Sequence, residues 1–182
     1  MEYTLEDNVI RVLRSYEVSR VNFRLFGIDV RGTVYGEIAD KILEGHFTVE
    51  IDSSLDKYTE AKYSRKKNKF RMSRNAYGFR GWHSAVVHEA THALTDWRKI
   101  QITKIDDEVV AHIAHTLYLR RAGFGFKSHG ITDPVWYAAR DVADSIIKSG
   151  KPNDALVKKL RDAVKNDPFY HEFIGEMADN DG

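Results

Sequence analysis

The apolar positions change rhythm along the chain, and each rhythm predicts an element. Val9, Ile10, Val12, Leu13 and Tyr16 recur at helical spacing and predict a helix over residues 5–16. Residues 19–28 are rich in Val and Phe and either extend that helix or form a strand. Residues 34–43 (VYGEIADKIL) read as a short helix stopped by Gly45. Residues 46–51 (HFTVEI) alternate and read as a strand. Residues 58–64 and 70–73 read as two more, joined by a polar RKKN turn. A small sheet is therefore expected within residues 46–74.

After Gly81 the rhythm becomes helical. Helices are expected over 82–97 and 104–121, the second ended by Gly123. Thr132 or Asp133 caps a third, with Pro134 in its first turn, running to Ser149. A fourth starts at Pro152 and runs to about Lys165. A short helix and an acidic, frayed tail follow Pro168. A sheet segregated from a run of helices predicts an α+β fold.

Composition adds bounds. The chain has 182 residues, the size of one domain with one core. A net charge of +1 gives no general pull toward nucleic acid or anionic membrane. There is no cysteine, so a transition-metal site must use histidine and carboxylate. The opening MEYTLEDNVIRVL is acidic and mixed, unlike a secretory leader. No run of about 18 apolar residues is present, so no membrane span is expected. A cytoplasmic protein is the simplest expectation.

The candidate chemistry lies in VVHEATHAL, residues 86–94. On a helix, His88 and His92 are one turn apart on one face and can point at one metal ion. Glu89 flanks that face and is placed to take a proton from a metal-bound water. Val86, Val87, Ala90, Ala93, Leu94 and Trp97 form a broad apolar face beside it. Ala85 and Thr95 are small and leave room for a cavity. The competing reading is an amphipathic helix with solvated histidines.

A catalytic zinc needs three protein ligands and an open position. The helix IDDEVVAHIAHTLYLRR is apolar on more than one face, yet Glu108, His112 and His115 form one stripe at spacings of four and three. Buried ionisable groups need partners, and a metal ion on the neighbouring helix would be one. Glu108 is taken as third ligand and His112 as the alternative. His112 otherwise supports a ligand or faces the substrate, and His115 belongs to the core or supports a ligand. Asp96, one turn after His92, is a candidate to orient that ligand. Tyr118, Tyr137 and His129, beside His112 and His115, are candidates to stabilise an oxyanion. His83 falls off the metal face. HEFIG at 171–175 echoes the motif without its second histidine. The basic run RKKNKFR, residues 65–71, reads as a solvated hairpin tip rather than a nucleic-acid contact.

HEATH followed by an acidic residue in DDEVVAH on the next helix resembles the gluzincins, the thermolysin-like zinc metallopeptidases. The resemblance covers mainly residues 58–120. It implies zinc ligands His88, His92 and Glu108 with Glu89 as general base. It also implies a small antiparallel sheet packed on a helical zincin core, metal-site helices within 82–121 and further helices within 133–178. An edge strand, expected at residues 70–74, would pair with an extended peptide or protein substrate. The gap from His92 to Glu108 is shorter than in thermolysin, and His112 stands where that family often has a carboxylate. The alternative is a zincin-like domain whose bound metal serves protein binding without proteolysis. A third reading is a helical module with no metal. An unsecreted peptidase would need restraint, for which a regulatory partner protein is one route.

Overall fold

A computed structural model describes residues 3–56, 58–124 and 132–182. The first helix, α1 (Leu5–Leu13), starts where Thr4 and Asp7 cap each other reciprocally. It ends earlier than its periodicity predicts, because Ser15 caps a separate short helix, α2 (Tyr16–Ser19). Residues 22–31 then form a hairpin of β1 (Asn22–Leu25) and β2 (Ile28–Arg31), settling the open choice at residues 19–28 in favour of strand. Phe26 and Gly27 make its two-residue turn, both at positive φ, as a primed turn requires. The next helix, α3 (Gly32–Leu43), buries Val34, Tyr35, Ile38, Ala39 and Ile42. Only glycine fits at its start: a Cβ at Gly32 would lie 2.4 Å from the Ser19 Cα.

The sheet within residues 46–74 is present but differs in two respects from expectation. Its strands are β3 (Thr48–Ile51), β4 (Ala61–Ser64) and β5 (Lys69–Met72), in the order β3-β5-β4. β4 and β5 pair antiparallel, but β3 runs parallel to β5, so this sheet is mixed. β5 is central, which removes residues 70–74 as the edge; β4 is the edge facing the helices. Local pattern could not fix this, because strand order is set by pairing partners distant in sequence. Phe47, Tyr63, Phe70 and Trp97 interlock edge to face beneath the sheet.

Two long helices follow, α4 (Arg80–Trp97) and α5 (Lys104–Arg121), joined by a short connection. Contacts pair residue 95 with 107, 88 with 108 and 83 with 118, so the two run antiparallel. Asp133 caps α6 (Pro134–Ser149) and Asn153 caps α7 (Asp154–Asn166). A 3₁₀ segment, Pro168–Phe173, leads into the tail. That tail is docked rather than frayed. Lys104 N–H donates to Glu176 C=O at 2.9 Å and Ala178 N–H to Ile102 C=O at 2.8 Å. Asn180 reaches Ile100 C=O at 2.8 Å, and Ala178 and Asn180 are buried. One hydrophobic cluster runs from Val9 to Ala178. Among the described residues, no helix is long and apolar enough to cross a membrane.

Candidate metal centre

α4 turns Val86, Val87, Ala90, Ala93 and Leu94 into the core. That leaves Gly81, Ala85, His88, Glu89 and His92 lining a cleft of about 1200 Å³. α5 supplies Glu108, His112 and His115 to the same cleft, as their stripe predicts.

The donor atoms converge. His88 Nε2 and His92 Nε2 are 3.2 Å apart. Glu108 Oε2 lies 3.4 Å from His88 Nε2, and Oε1 lies 3.5 Å from His92 Nε2. Tetrahedral zinc with bonds of about 2.0–2.1 Å would separate its ligand atoms by roughly 3.3 Å. The two imidazole nitrogens are separated by about that edge, and each lies close to it from one Glu108 oxygen; two nitrogens and a carboxylate are a donor set zinc accepts. Ligand atoms of His88, Glu108 and His112 also lie within 4.8 Å of one another. His112 Nε2 is 4.0 Å from Glu108 Oε2.

The group that orients His92 is Asp107, not Asp96. His92 Nδ1–H donates to Asp107 Oδ2 at 2.7 Å, fixing the tautomer that leaves Nε2 free for an ion. Asp107 is buried and also accepts from Thr95 Oγ1 at 2.8 Å and from the Arg65 guanidinium. Asp96 Oδ2 instead accepts the Tyr63 hydroxyl at 2.7 Å. Its Oδ1 accepts the backbone N–H groups of Asp181 and Gly182 at 3.0 and 3.3 Å. Asp96 thus anchors the tail. In sequence Asp107 looked like one of three acids at a helix start; only its place beside Glu108 hinted at more.

Glu89 stands outside the ligand triangle. Its Oε2 accepts the Tyr63 N–H at 2.6 Å, from the cleft-facing side of edge strand β4. Tyr170, in the 3₁₀ segment, lines the cleft and its hydroxyl meets His112 Nε2 at 2.9 Å. Sequence reading passed over this tyrosine because nothing local marks a segment that folds back onto a distant helix. His171 and Glu172 of HEFIG line the cleft too, but make no contact with the ligand triangle among the described residues. His115 Nε2 is buried with no hydrogen-bond partner among the described residues, and its ring packs on Trp136. Tyr118 is bonded to His83 at 2.9 Å and is outside the cleft lining, as is Tyr137. His129 lies outside the described residues. Of the basic run, Arg65, Lys69 and Arg71 are engaged by Asp107, Glu50 and Asp52.

Electrostatics bind these groups into one unit. Burial opposes charge on His92, but the Asp107 and Glu108 carboxylates prevail and raise it to about 9. Burial opposes charge on Glu108 as well, and the His92 and His88 imidazoles override it, lowering the carboxyl to about 2. Without an ion, a proton on His92, beside the Arg65 guanidinium, supplies positive charge to the buried Asp107 and half-buried Glu108 carboxylates; a divalent ion would replace that proton. Burial, with His88 beside it, lowers His112 to about 3 and holds His115 well below its usual range. Burial and then Glu108 push the Tyr170 hydroxyl far upward, so it remains a donor at neutral pH.

No family model matches the chain, and no curated protein or solved structure matches it.

Proposed function

We propose that the chain is a zinc-dependent peptidase of gluzincin type, with His88, His92 and Glu108 as ligands and Glu89 as general base. The observation that carries this reading is the position of Glu89. It is next to the ligand triangle but not part of it, and a main-chain donor of the edge strand holds its carboxylate at 2.6 Å. A zinc ion there would supply a Lewis acid and a water acidified to about pH 7. Glu89 would be the group to accept a proton from that water and pass it to the leaving amine. Asp107 keeps His92 aimed. Tyr170 offers a hydroxyl for negative charge developing on the substrate carbonyl. The substrate lies along β4: Glu60 C=O pairs inward with Ser73 N–H, so Ala61 presents its main-chain groups to the cleft and Tyr63 its carbonyl, the Tyr63 N–H being held by Glu89. In a binding domain without proteolysis the same metal would be structural.

The test combines elemental analysis with a peptide-library cleavage screen. Wild type should carry one zinc and cleave, with cleavage abolished by chelator. Glu89→Gln should keep the zinc and lose hydrolysis by about 10²–10⁴-fold. Zinc without cleavage of any library would favour the binding domain. Equal hydrolysis by wild type and Glu89→Gln would overturn the assignment of the base.

A further inference from the structure

We propose that His112 is a fourth metal ligand held in reserve, tethered away from the ion by the Tyr170 hydroxyl, so that releasing the tether closes the site. The proposal rests on the metal site assigned above. Its basis is a near-symmetry around His88. The His92 ring, an assigned ligand, lies 4.9 Å from the His88 ring centroid at an interplanar angle of 75°. The His112 ring lies on His88 at the same 4.9 Å and 75°. The ligand triangle is therefore flanked by an imidazole placed much as a ligand is placed.

Two observations distinguish His112 from a ligand already engaged. Its Nε2 is 4.0 Å from Glu108 Oε2, about 0.7 Å beyond the roughly 3.3 Å edge of a tetrahedral zinc site. That nitrogen is instead bonded to Tyr170 Oη at 2.9 Å. The ring is buried, so Nε2 turns to an ion only by giving up that partner. With the hydroxyl turned away, Nε2 would be free to fill the position that a water would otherwise hold on the ion. Three protein ligands with an open position are the catalytic arrangement, and four are the structural one. Tyr170 sits on the 168–173 segment rather than on the metal helices, so movement of that segment decides between the two forms. A substrate that draws the hydroxyl to its carbonyl occupies the fourth position itself and keeps His112 out.

The experiment loads the whole chain with cobalt(II) and counts coordinated imidazoles by their hyperfine-shifted, exchangeable N–H proton resonances. Wild type should show two. Tyr170→Phe should show three, and its zinc affinity should rise by about tenfold or more as a ligand replaces water. Tyr170→Phe combined with His112→Gln should return to two, which separates coordination from any general effect of losing the hydroxyl. Two resonances and unchanged affinity in Tyr170→Phe would overturn the proposal while leaving the metal site standing. Three in wild type would overturn the tether. No bound cobalt or zinc in wild type would overturn the metal site and this proposal together.

Discussion

Asp107 shows how much of the candidate site depends on a residue outside the set of converging donors. It is buried against His92, Thr95 and Arg65, so its charge is compensated only while all three hold. Asp107→Asn should weaken zinc binding by about 10–100-fold, measured by competition with a chromophoric chelator. Asp96→Ala, at the position sequence favoured, should leave zinc content unchanged. The protonation of His92 gives a second check. Its value of about 9 in the fold lies above the ordinary 6.5, so the protonated ring stabilises the metal-free fold. That contribution is complete below 6.5 and lost as pH rises through 9. Around pH 6.5 the lowered His112 and His115 act in the opposite sense, so the urea midpoint of metal-free protein should fall between about pH 7.5 and pH 9.5, and fall less in Asp107→Asn, where His92 loses its stronger partner. That His88, His92 and Glu108 converge was legible because a helix fixes which residues share a face. Asp107 was not, because its role depends on how α5 is rotated against α4.

At the level of elements, α5 and α6 were readable to the residue. Each starts at a capping side chain, Thr103 and Asp133, which marks the boundary chemically. The hairpin of residues 22–31 was not, because its turn uses a phenylalanine at positive φ in place of the usual Asn or Gly. The parallel pairing of β3 and the docking of the tail were invisible for the same reason as each other: both partners are remote in sequence. Two substitutions test these junctions. Gly32→Ala would put a Cβ 2.4 Å from the Ser19 Cα and should cost about 1–3 kcal/mol, read as a lower denaturation midpoint. Asp96→Ala removes the acceptor for Tyr63, Asp181 and Gly182, so amide exchange in residues 176–182 should accelerate.

Across the whole molecule, the cleft joins parts that the chain keeps far apart: β4, the two metal helices, and the 168–173 segment. An ion bound at their junction favours the folded state over the unfolded one by mass action. Zinc at about 100 times its dissociation constant should add about 2.7 kcal/mol, raising Tm by roughly 5–10 °C, reversibly with chelator. No Tm response would argue that the donor triangle does not hold an ion. Tyr63 gives this junction a particular consequence. Its amide holds Glu89 and its hydroxyl holds Asp96, two turns along the same helix, so one strand residue is pinned to the motif helix at two heights. The strand can then neither slide nor tilt against that helix. A peptide hydrogen-bonded along β4 would be delivered with a fixed reading frame: the bond brought opposite Glu89 would be counted off along the main chain, and side chains would choose among peptides without moving the cut.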